Sequence, residues 1–103
     1  MAEVLGYKIK RQQISISAKT TVSLTAHRGL CVMHTNINRG NVVAMVNGSP
    51  EPGIVEIANN TQTAITIGAS GNYIQVTNPE LEVLNIYNNS SGTCLFYIMS
   101  FVY

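Results

Sequence analysis

Five residues have the types and spacing to do chemistry. His27, Cys31 and His34 fall within one short window and could ligate zinc or move a proton, and Glu80 and Glu82 are spaced as a glycosidase acid/base pair could be. Strand parity argues against both. Successive side chains of a strand leave opposite faces, so Cys31 and His34, three apart in "LCVMHT", converge on one ion only through a bulge. Glu80 and Glu82 share a face but follow Pro79 at an expected strand entrance, where carboxylates serve as solvated edge charges. The remaining acidic residues are Glu3, Glu51 and Glu56, and Glu56 between Val55 and Ile57 most simply faces water. No nucleophile elbow, P-loop or dinucleotide fingerprint occurs. The sequence points to a protein that is not an enzyme, with no cofactor, no metal and no catalytic residue.

The elements that would position these residues are strands. Apolar residues alternate with Ser, Thr, Asn and Gln in "ISISA" (14–18), "TVSLTA" (21–26), "LCVMHT" (30–35), "VVAMV" (42–46), "IVEIA" (54–58), "AITI" (64–67), "YIQVT" (73–77), "LEVLNIY" (81–87) and the C-terminal "GTCLFYIMSFVY". A tenth strand is available in "YKIKR" (7–11). Between them "NINRGN", "NGSPEPG", "NNTQT", "GASGN", "TNPE" and "NNSSG" read as turns and hold Pro50, Pro52 and Pro79. No window has a helical period. The expected fold is an all-β, antiparallel β-sandwich, jelly-roll-like, of about eight to ten short strands. It forms a single domain over 1–103, with 1–13 a candidate N-terminal docking segment.

Composition narrows the partners. Charged residues are 11% of the 103, the formal net charge is +1 and Asp is absent, which favours neither a nucleic acid nor an anionic membrane as partner. The one basic concentration, Lys8, Lys10 and Arg11, reads either as a charged strand edge or as a docking contact to an acidic neighbour. Cys31 and Cys94 read as buried free thiols, and a bridge between them would need adjacent strands. Neither a signal peptide nor a membrane span is visible, so the chain is expected to be made in the cytosol or to be a fragment. Without a secretory signal, the sequons at Asn47, Asn59, Asn88 and Asn89 read as by-products of polar turns.

The C-terminal segment departs from the alternation. Leu95, Tyr97, Met99 and Phe101 occupy one face while Cys94, Phe96, Ile98 and Val102 occupy the other, so the segment is apolar on both sides. One face closes the core; the other is expected to pack against further copies of the chain, and Phe96, Ile98 and Val102 are the candidate interface set. Parity alone leaves open which set does which. A folded-over loop covering the second face within one monomer is the competing explanation.

The tract "AITIGASGNYIQVTNPELEVLNIYNNSSGTCLFYIMSFVY" (64–103) resembles the distal β-sandwich modules of bacteriophage tail fibres and related virion appendages or decoration proteins, and "ISISAKTTVSLTAHRGLCVMHT" upstream is similar too. The resemblance lies in cadence: a Thr/Ile strand, a Gly/Ser/Asn hairpin, an "I-x-V-T-N" strand and two closing Ile/Tyr strands around "N-N-S-S-G". It implies a non-enzymatic virion protein made in the bacterial host cytoplasm, usually a homotrimer, that contacts other virion proteins and attaches to a host surface or decorates the particle. The long fibrous shaft of such fibres is missing from this chain. Receptor or glycan contact is expected from loops at one end of the sandwich, with Arg39, Gln62 and Tyr73 as candidates. A carbohydrate-binding module or lectin of cellular origin is the alternative, although the chain has no Trp on which a sugar could stack. A non-catalytic domain cut from a larger enzyme is the third reading.

Overall fold

Period-two alternation produces ten strands in the computed structural model, which describes residues 3–4, 6–47 and 51–102. They are β1 (Glu3–Val4), β2 (Tyr7–Ile16), β3 (Thr20–Thr25), β4 (Gly29–Thr35), β5 (Asn38–Val46), β6 (Ile54–Asn59), β7 (Ile65–Ile67), β8 (Ile74–Glu80), β9 (Val83–Asn88) and β10 (Cys94–Val102). Met1, Ala2, Leu5, Gly48, Ser49, Pro50, Tyr103 and the side chains of Glu3 and Val4 lie outside the described residues. Part of the candidate docking segment and of the Asn47 sequon therefore falls there.

The strands form a large sheet, in the order β1-β2-β10-β4-β5-β6, and a small one, in the order β3-β9-β8-β7. β2 pairs with β10 and β3 with β9, so the first two long strands are wound together with the last two, as in a jelly roll. The β4-β5-β6 meander departs from that winding. A β-sandwich is the result, as the alternation predicts. One pairing differs from the expectation: β7 runs parallel to β8, because the glycine-bearing segment 68–73 carries the chain back along the sheet before β8 begins.

Burial alternates along the strands and defines one core between the sheets. Ile16, Met33, Val42, Phe96 and Ile98 of the large sheet meet Ile65, Ile74, Val76, Leu84 and Ile86 of the small one. This corrects the interface set proposed from sequence. Phe96 is 0% and Ile98 2% exposed, so both belong to the core and neither is available to another copy; Val102 beyond them is half-buried. The large apolar residues on the outward face of β10 are Leu95, Tyr97, Met99 and Phe101.

Asparagine explains how so polar a chain closes its loops. Buried Asn88 donates to the carbonyls of Ile16 (2.9 Å) and Gly92 (2.8 Å) and accepts from the Ser90 backbone (2.9 Å) and hydroxyl (2.7 Å), which ties the β9–β10 loop to the end of β2. Asn78 accepts from Gly53 and donates to the Glu80 and Val83 carbonyls, and Asn36 accepts from Leu95. Three sequon asparagines serve the same purpose, since the amides of Asn59, Asn88 and Asn89 all donate to backbone carbonyls. Each stands in for a backbone partner that a turn leaves without one. Gly40 is required for a related reason: a Cβ there would overlap the backbone of Asn60 and Thr61.

Two expected turns are shorter than predicted. Only Asn36 and Ile37 form the turn in "NINRGN", and β5 starts at Asn38. Likewise β8 runs through Pro79 to Glu80, so Glu80 ends a strand and Glu82 lies in the following turn rather than at a strand entrance. "YKIKR" and "ISI" (14–16) join into the single strand β2, whose edge is paired only at Tyr7 and Lys8, by β1.

Candidate functional site

Cross-strand register places the residues of the large sheet's outer face in rows. Tyr97 of β10 stands opposite Gln13 of β2 and His34 of β4; Met99 stands opposite Arg11 and Val32; Phe101 stands opposite Ile9. Val32 faces Val43, and Leu30 faces Met45, which in turn faces Val55 of β6. Such neighbours have Cβ atoms about 4.5–5.5 Å apart, so each row is a continuous surface.

The face divides into two parts. Toward the β3–β4 end it is an apolar band with Leu30 37%, Met45 42%, Val55 63% and Ile57 56% exposed, and Ile9, Val32, Val43, Met99 and Phe101 half-buried around them. The small sheet's outer face contrasts with it: Thr21, Ser23, Thr25, Thr77, Asn85 and Gln75 form a mainly polar surface, on which Ser23 donates to Asn85 at 2.7 Å and half-buried Val83 and Tyr87 are the apolar members from β9. Water suits the second face and not the first.

Toward the β4–β5 hairpin the large sheet's outer face turns polar and hollow. The His34 and Tyr97 rings lie 4.4 Å apart at a 38° tilt and form one wall of a shallow cleft of about 490 Å³, completed by Arg11 and Gln13 of β2, Asn41 of β5, and Val32 and Met99 on its floor. Arg11, Gln13, His34 and Asn41 are exposed, and the side chains of Arg11 and Gln13 make no hydrogen bond or ion pair among the described residues. A second cleft of about 460 Å³ shares His34 and continues over the hairpin to Ile37 and Arg39. Backbone register brings these groups together from β2, β4, β5 and β10, so no local motif announces them.

The residues singled out from sequence are placed as follows. Arg39, Gln62 and Tyr73 all lie at the hairpin end of the sandwich: Arg39 near the start of β5, Gln62 in the β6–β7 loop with φ 53°, and Tyr73 just before β8. The parallel β7–β8 pair brings Tyr73 to that end, since strict up-and-down alternation would have sent its loop to the other. Arg39 lines the second cleft, whereas Gln62 and Tyr73 line neither cleft. Lys8 and Lys10 share one face of β2 and Arg11 takes the other; Lys10 acts on His27, whose pKa burial lowers from 6.5, with the nearby ammonium adding to the effect.

Cys31 is buried in the core and His34 lies on the outer face, as parity requires. Burial pushes the Cys31 thiol up to about 11. Both cysteines are free. Cys31 stands opposite Ser100 while Cys94 stands opposite Ile16, six residues further along β10 and about 20 Å away at strand rise, so they cannot bridge. Glu80 and Glu82 are exposed at the β8–β9 turn, and Glu56 accepts a hydrogen bond from Asn59 at 3.0 Å. Comparison of the chain with protein-family models, curated proteins and solved structures finds no match.

Proposed function

We infer that this chain is a non-enzymatic structural and attachment module of a phage-like particle, in which copies join through the apolar band on the large sheet and a homotrimer is the assembly. The observation that carries the reading is the contrast between the two outer faces: the large sheet's carries a band with exposed Leu30, Met45, Val55 and Ile57, while the small sheet's is mainly Thr, Ser, Asn and Gln. Leu30, Met45, Val55 and Ile57 are each about half exposed, so covering the rest of them contributes about 3–6 kcal/mol per copy at ~1.5–3 kcal/mol for a whole side chain. Half-buried Ile9, Val43 and Phe101, which line neither cleft, add to that. β6 supports the same conclusion: it ends the large sheet and carries Val55 and Ile57, with Glu56 as its one charge and no Lys or Pro to discourage pairing.

The cadence of 64–103 supports placing the assembly on a virion, with Arg39, Gln62 and Tyr73 at one end of the sandwich where a host surface would be met. Antibodies raised against the chain and applied to purified particles of a phage that encodes it should label tail or capsid in electron micrographs. Labelling confined to host-cell material would end the virion reading. The lectin alternative keeps one observation in its favour, the Tyr97–His34 cleft.

A further inference from the structure

We propose that the Tyr97–His34 cleft is a binding site for a saccharide that carries a carboxylate, with the Arg11 guanidinium as its anion contact. The cleft has the make-up such a ligand needs. An aromatic pair and the apolar floor of Val32 and Met99 suit the C–H face of a pyranose ring. Around them stand Gln13 and Asn41, whose amides each offer donors and an acceptor for vicinal hydroxyls, and His34 offers a ring nitrogen. Tyr97 is the cross-strand partner of both Gln13 and His34, so a ring resting on it lies within reach of polar groups from two sides.

Charge selects among sugars. Arg11 is exposed, and among the described residues it makes no ion pair and no carboxylate lines the cleft. A guanidinium presents a fork of donors matched to a carboxylate, so a uronic or sialic acid gains a bidentate contact that galactose lacks. The second cleft shares His34 with the first and is also lined by Arg39, which offers a longer acidic chain a second cation. The proposal does not rest on the virion reading, because a lectin of any origin could use the same cleft.

The test is titration of the full chain, ¹⁵N-labelled, with galacturonate, trigalacturonate and sialyllactose, with galactose and lactose as neutral controls. Acidic sugars should shift the amides of Arg11, Gln13, His34, Asn41 and Tyr97 and bind at least about tenfold more tightly than the neutral ones, a difference of ~1.4 kcal/mol. Arg11→Gln, at an exposed position, should remove that preference while leaving the rest of the spectrum unchanged. Tyr97→Leu should abolish binding of both kinds, with the spectrum checked for retention of fold. Arg39→Gln should weaken trigalacturonate and leave galacturonate unaffected. Absence of shifts with every acidic sugar at about 10 mM, shifts mapping elsewhere, or an unchanged acid preference in Arg11→Gln would each overturn the proposal.

Discussion

Ile98→Ala and Met45→Glu should have opposite consequences, because the structure puts these side chains on opposite faces of the large sheet. Ile98 is 2% exposed in the core, and truncating it to Ala removes buried methyl groups and leaves a cavity, at a cost of about 2–5 kcal/mol. At ~1–3 kcal/mol per molar urea for a domain of this size, the unfolding midpoint followed by circular dichroism should fall by about 1–3 M. Sedimentation mass should not change, because the outer face is untouched. Met45 sits in the apolar band at 42% exposure, so in an isolated chain a Glu there remains solvated and costs within about 0.5 kcal/mol. Between copies the same carboxylate would be buried without a partner, at several kcal/mol. Met45→Glu should therefore keep its circular dichroism spectrum and sediment as a monomer. A Met45→Glu protein with the wild-type mass would refute the assignment of the interface, and an Ile98→Ala cost below about 1 kcal/mol would refute the placement of the core.

Asn88→Ala strips partners from the buried Ile16 carbonyl and from the part-buried Gly92 carbonyl and Ser90 amide; at ~1–3 kcal/mol for the buried group and ~0.5–1.5 kcal/mol for each of the other two bonds it should cost about 2–6 kcal/mol in urea unfolding, and a loss under about 1 kcal/mol would show that water replaces the side chain. His27 should titrate below 6.5 by NMR, and stability should fall as pH drops below that value, because the unfolded chain then binds the proton more readily than the folded one; Lys10→Gln should move the titration back up. Cys31, buried and with its thiol raised to about 11, should resist thiol reagents at neutral pH until the protein unfolds; rapid labelling of the native protein at Cys31 would contradict its place in the core.

Most of the strands were legible because apolar residues alternate with hydroxyl and amide side chains, which leaves little room for a helical period. The β7–β8 pairing was not, since a three-residue strand and a glycine-bearing return loop are equally consistent with either direction. "TNPE" was mistaken for a turn because proline and asparagine usually mark one; here Pro79 lies in β8 and Asn78 supplies the hydrogen bonds that the local backbone needs. The parity of β10 could not be read at all, because both of its faces are apolar. The core-facing set includes Ser100, whose hydroxyl is buried with Phe96 and Ile98. The Tyr97–His34 cleft was invisible for a different reason. Its residues are separated by up to 88 positions, from Arg11 to Met99, and only the register of β2, β10, β4 and β5 brings them into adjoining rows.

Self-association through the large sheet is tested most directly by sedimentation equilibrium of the unmodified chain at micromolar concentration. The predicted result is a single species at three times the 11.2 kDa chain mass, with no monomer as the protein is diluted through that range. A species of 11.2 kDa throughout would contradict the account, because the apolar band would then be stable in water without a second copy to cover it.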